Sequence, residues 1–191
     1  MRCLILSFLI SSLVMAQDSF SFKNIPPSPV DFLGGNIISK TIQGLGFRYY
    51  WATEGLRSED LSYRPSDGAS SLYETLEHIY GLCEVIHNSA LNIASRRPLK
   101  DVPQDFNILR QETLKLIESA SKSFDDKNQK ELQKLRVIFD RGGKHSEFPL
   151  WNLINGPLSD ALYHTGQVVS FRRTSGNPIP KGVNVFLGKK Q

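Results

Sequence analysis

Seven apolar residues between Leu72 and Ile93 do most to narrow what this chain can fold into. Leu72, Leu76, Ile79, Cys83, Ile86, Ala90 and Ile93 alternate steps of four and three, which on a helix sets all of them along one stripe. A helix with so continuous an apolar face must bury it against partners. Ser71 stands three residues before Glu74 at its start, the capping-box pattern in which each side chain satisfies an orphan backbone amide. Arg96-Arg97-Pro98 marks its expected end, because proline cannot continue a helix.

The rest of the chain offers partners for that face. Asn36, read as an N-cap, opens a first helix to about Leu56, with Ile38, Ile42, Leu45, Tyr49 and Ala52 at helical spacing, weakened locally by Gly44 and Gly46. Ser58-Glu59-Asp60 reads as a short turn, and Arg64-Pro65-Ser66-Asp67-Gly68 as a breaker. Pro103 and Asp105 open a third helix whose buried stripe is Leu109, Thr113, Leu116 or Ile117, Ala120 and Phe124. A polar spacer, 125–133, leads to two short strands, 135–139 and 144–148, around Asp140-Arg141-Gly142-Gly143. A last helix runs from Pro149 to about Arg173, bent or divided at Gly156-Pro157. The expectation is an all-α four-helix bundle (residues 36–191) with a short hairpin before the last helix and an extended C-terminal tail.

The first residues set what belongs to that fold. Arg2, an apolar run to Val14 and Met15-Ala16 make a signal peptide over residues 1–16, cleaved after Ala16. The run is shorter than the roughly 20 apolar residues a membrane span needs. A secreted or periplasmic product with no membrane attachment after cleavage is therefore expected. Residues 17–35, with Pro26, Pro27 and Pro29, read as an extended lead-in. Losing Arg2 takes the formal charge from +4 to +3. The basic residues are scattered, so nucleic acid is not an expected partner. Only Cys83 then remains, inside an apolar stripe, and is read as a small core residue.

The chemistry-bearing residues are few. Asp160 and His164 stand four apart on the last helix, which brings their side chains up one face about 6 Å from each other. On that face Leu153, Pro157, Asp160, His164, Gln167 and Phe171 set three polar groups into an apolar stripe, costly unless they satisfy one another. His78 lies one position before Ile79, at the core edge of the second helix. Two imidazoles and a carboxylate suit a zinc, nickel or iron ion and leave coordination positions open. The alternative is a hydrogen-bonded polar trio with no ion. His87 is turned to the opposite side of its helix, where solvent exposure is expected, and His145 sits in the hairpin turn. Glu74 could accept from the His78 ring, but its capping role already accounts for it. Trp51 and Trp151 are read as anchors in the core or at the bundle edge.

Four segments resemble the DinB-like superfamily of four-helix-bundle proteins, which includes DNA-damage-inducible proteins and thiol-dependent transferases. They are Trp51 to Leu56 leading into Asp60 to Pro65, Glu74 to Ile79, Asp160 to Gln167, and Ser175-Gly176-Asn177-Pro178. The resemblance spans residues 46–188. It implies a metal site of three histidines, one from the second helix and two at i and i+4 on the last, the later in a His-x-Gly-Gln segment. His78 and His164 match, and Asp160 stands where that superfamily usually carries histidine.

Two functional expectations follow. One is an exported protein binding a divalent metal through His78, Asp160 and His164, with metal-dependent hydrolase or thiol-transferase activity, in which Gln167 or Glu74 orients the ligands. The other is a non-catalytic helical bundle that binds a small molecule or a partner and carries a degenerate metal site. A homodimer is expected, because Phe47, Tyr49, Tyr50 and Trp51 offer more apolar surface than one helix face can bury.

Overall fold

A computed structural model of the chain describes residues 21–191; the segment read as a signal peptide lies outside the described residues. The fold is mostly helical. Its long helices are α1 (Gly34–Thr53), α3 (Leu72–Leu91), α4 (Phe106–Phe124) and α7 (Ser159–Thr174), and short turns form α2 (Ser58–Leu61), α5 (Gln129–Leu132) and α6 (Trp151–Leu153). Helices α1 and α3 each pack on both α4 and α7, so the four long helices close on a shared core. No helix among the described residues is long and apolar enough to cross a membrane.

Helix α3 buries Leu72, Leu76, Ile79, Cys83, Ile86 and Ala90 as its stripe requires. Ser71 and Glu74 form the capping box, with Oγ accepting from the Glu74 amide at 3.1 Å. Helix α4 begins at its Asp105 cap and buries Leu109, Thr113, Ile117, Ala120 and Phe124, with Leu116 only partly covered.

The end of α3 departs from expectation, and with it the all-α class. Asn92 takes a left-handed φ of 58° and stops the helix two residues before Ile93, which is half exposed. The chain then forms β1 (Ala94–Arg96), parallel to β2 (Arg136–Arg141), which pairs in antiparallel register with β3 (Lys144–Pro149). The Asn92 side chain accepts from the Arg136 amide at 2.9 Å, so the residue that ends the helix also docks the hairpin. The tail adds a second pair, β4 (Val183–Asn184) with β5 (Lys189–Lys190).

Helix α1 starts at Gly34, inside the segment expected to precede it. Gly35 lies where a Cβ would stand 2.3 Å from the Phe124 carbonyl, a backbone approach open only to glycine. Asn36 is not the cap: it sits in the first turn, and its carboxamide oxygen accepts from the Asp126 amide at 2.8 Å. Phe47, Tyr49, Tyr50 and Trp51 are all buried within the one chain, because α4, α7 and the lead-in cover different sides of α1. The excess apolar surface offered as the reason for a dimer is therefore covered internally.

The lead-in, mostly exposed, is anchored at its start. It opens with a 3-10 turn, Ser21–Lys23, and Phe22, 2% exposed, lies over Gly46. A Cβ on Gly46 would stand 2.6 Å from the Phe22 ring. Gly46→Ala should therefore destabilise by about 1–2 kcal/mol through overpacking, although alanine is the better helix former. Urea unfolding midpoints of the two proteins measure this. A gain in stability would show that Phe22 moves aside freely.

A buried ionic clamp joins α2 to the end of α7. Asp60 is fully buried and accepts from the Arg57 amide and guanidinium, from Ser175 Oγ at 2.7 Å and from Asn177 Nδ2 at 2.6 Å. Arg172, 2% exposed, donates to the carbonyls of Trp51, Ala52 and Glu54 at 2.8–3.3 Å and to that of Asn177. It thereby satisfies the open C-terminal end of α1 from inside the protein.

The bend at Gly156-Pro157 is a π-turn, Ile154–Leu158, with Gly156 at φ −92°, ψ −105°. Ser159 Oγ donates to the Ile154 carbonyl five residues back, at 2.7 Å. The wide turn shifts the buried stripe to Leu153, Leu158, Ala161, Thr165, Val168 and Arg172. Asp160, His164 and Gln167 move to its flank, beside the apolar stripe and not within it. The bend at Gly156-Pro157 is where the sequence places it, whereas the three polar groups, expected within the apolar stripe, stand beside it.

Candidate metal centre

The flank of α7 that carries Asp160 and His164 faces α3, where His78 projects. Asp160 bridges the two histidines: Oδ1 lies 3.3 Å from His164 Nε2 and Oδ2 lies 3.4 Å from His78 Nε2. The imidazole rings meet edge to face with centroids 4.5 Å apart. One ligand atom from each of the three residues can be chosen so that all lie within 4.8 Å of one another. The side chains of His78 and Asp160 are 51% and 43% exposed and that of His164 is 22% exposed, so the centre is open on the outer side.

Bonds of about 2.1 Å at tetrahedral angles hold neighbouring donor atoms about 3.4 Å apart. The two carboxylate to imidazole gaps, one to each oxygen of Asp160, have that spacing.

Gln167 fixes what His164 presents. Its Oε1 accepts from His164 Nδ1 at 2.6 Å, which puts a ring proton on Nδ1 and turns Nε2 toward the Asp160 carboxylate, where the neutral ring offers an electron pair. A positive charge at this position, a proton on Nε2 or a metal ion, would favour the 3.3 Å approach of the two groups, and two imidazoles with a carboxylate are donors that a divalent ion accepts.

Other expectations resolve differently. Glu74 is taken by a two-pronged pair with Arg64 at 2.6 and 2.8 Å and by the Ser71 amide, so it is not an orienting group for His78. These contacts hold its pKa below the usual carboxylate range, the Arg64 hydrogen bonds contributing most. His87 faces away from His78 as expected but is partly covered, with Nε2 3.1 Å from Ser119 Oγ on α4. His145 stays on the hairpin opposite Asp140, 4.0 Å away. Trp51 is buried as an anchor, whereas Trp151, expected in the same role, is 78% exposed, because α6 is too short to cover its ring.

Sequence reasoning missed Tyr163 and the contact of Tyr63 with Phe171. The Tyr163 ring lies 5.2 Å from that of His164 and is 64% exposed, at the rim of the centre. Tyr63 packs on Phe171 at 5.7 Å on the same flank of α7. Neither carries a periodic signal, since Tyr163 falls on the solvent side of its helix and Tyr63 lies in a loop.

The four long helices and their shared core have a DinB-like fold. That assignment rests on a solved structure, a DinB-like protein from Bacillus subtilis, YjoA. It superposes with a TM-score of 0.53 at 14% identity, over 75% of this chain and 96% of that one. No protein-family model and no curated protein matches the chain.

Proposed function

We propose that this chain is an exported four-helix-bundle protein that binds a divalent metal ion through His78, Asp160 and His164. The observation that carries the reading is the Gln167 hydrogen bond, which engages His164 Nδ1 and turns Nε2, the nitrogen that would hold the ion, toward the Asp160 carboxylate. The likeness to a DinB-like structure supports the same arrangement of helices. An ion held there would leave positions open for a water or a thiolate and act on it as a Lewis acid. Hydrolysis and thiol transfer are accordingly the reaction classes to screen. The chain's own contribution is to hold the ligands: Gln167 sets the tautomer, the π-turn sets the angle of Asp160, and Tyr163 lines the approach.

Elemental analysis of protein purified without chelators tests the reading. Close to one equivalent of metal is expected, lost in Asp160→Ala and in His164→Ala, and reduced about 10- to 100-fold in affinity by Gln167→Ala. Chain that stays metal-free after incubation with zinc, nickel and iron salts would leave the trio a polar network and favour the non-catalytic bundle.

A further inference from the structure

On the other side of α7 from the metal centre, a cleft of about 640 Å3 opens between the lead-in, α1 and Leu162. Leu162 and Asp160 are two positions apart and so point about 200° apart around the helix. Cavities of this size suit small molecules. Asn36, Lys40, Gly44 and Arg48, spaced by four along α1, all line it.

Each of these residues has a definable part. Gly44 leaves the floor open, since a Cβ there would stand 3.2 Å from the Arg48 guanidinium. Lys40 holds the roof: its ammonium donates to the carbonyls of Pro26 and Pro27 and to Gln43 Oε1, which uses its three N–H groups. Burial lowers the Lys40 pKa. Arg48 is half-buried, and its one hydrogen bond among the described residues goes to the Gly44 carbonyl at 3.0 Å. A guanidinium has five N–H groups, so most of its donors remain for a ligand. Ile25, Pro29, Phe32, Ile37 and Leu162 make the walls apolar. Asp31, the acid in the lining, stands by Asn36, about 18 Å along the helix axis from Arg48.

An apolar trough with a guanidinium free to donate at one end, an acid at the other, and between them the Lys40 ammonium already engaged by carbonyls and Gln43, is polarised for one kind of guest. The geometry points to a binding site for a single-chain amphiphile with an oxyanion head, the head on Arg48 and the aliphatic tail along Leu162, Ile37 and Phe32. Asp31 repels the head from the far end and so fixes the direction. Phe32 is 92% exposed beside the mouth and gains cover when a tail lies under it. The site shares no residue with the metal centre, so either can fail without the other.

Calorimetric titration of the purified chain with dodecanoate, below its micelle-forming concentration, tests this directly. One equivalent should bind, and dodecyltrimethylammonium, with the same tail and a cationic head, should bind at least about tenfold more weakly, since its head cannot accept the charged hydrogen bond that Arg48 offers. Gly44→Leu should abolish binding by filling the floor, with the metal content unchanged. Arg48→Gln should retain tail binding and lose the preference for the anion, which keeps the test open if the leucine variant does not fold. Equal affinity for the two heads, undiminished binding by Gly44→Leu, or absence of dodecanoate binding would overturn the assignment. So would retention on phosphatidylglycerol vesicles without uptake of free dodecanoate, or a solution dimer that closes the cleft.

Discussion

Arg172→Ala should destabilise the protein by about 4 kcal/mol, a large part of the 5–15 kcal/mol that holds a typical domain folded. Arg172 is 2% exposed and makes four hydrogen bonds to main-chain carbonyls, three of them at the end of α1. Alanine leaves those carbonyls buried without donors, each costing about 1–3 kcal/mol, and adds a cavity. Arg172→Lys should recover less than half of the loss, because an ammonium cannot fan across carbonyls that a planar guanidinium reaches together. Urea unfolding of the three proteins measures both effects. A loss below about 1 kcal/mol in the alanine variant would show that water can replace the guanidinium.

Asp60→Asn should cost about 2–3 kcal/mol at neutral pH and almost nothing in acid. Hydrogen bonding to the Arg57 guanidinium, then to Ser175, the Arg57 amide and Asn177, holds the Asp60 pKa far below its ordinary 3.8, against the opposing effect of burial. A folded pKa below the unfolded one means that the unfolded chain takes up the proton first as pH falls. The stabilisation is complete above the unfolded pKa and disappears as pH drops through the folded one. Denaturation midpoints of native protein and variant should differ at pH 7 and converge steadily below about pH 4. A constant gap across that range would assign the effect to shape and not to charge.

These two residues also mark the limit of what the sequence discloses. The stripe of α3, the capping box at Ser71, the Asp105 cap, the hairpin turn and the Asp160/His164 pair are local patterns, each legible from spacing alone. His78 was legible at one remove, as a polar residue on the edge of that stripe. Asp60 and Arg172 were not, since charged residues are ordinarily exposed, and only the assembled structure supplies their partners more than a hundred residues away. Strand β1 was hidden for the same reason: Ala94–Arg96 becomes a strand because the hairpin from 136 onward lies beside it. The Ser175-Gly176-Asn177 segment and Asp60, which carried part of the family resemblance, turn out to brace each other, so that half of the motif serves architecture and the other half forms the candidate metal centre.

His78 and Asp160 are separated by 82 residues of chain, and this gives the centre a second meaning. An ion gripped by both is a reversible cross-link that the unfolded chain cannot easily form, so folding and ion capture become one coupled equilibrium. At a hundredfold excess of ion over its Kd the native state gains about 2.7 kcal/mol. A chain that captured an ion there would carry a gauge of its surroundings, holding its shape most firmly where the metal is plentiful and becoming easiest prey for proteases where it is scarce.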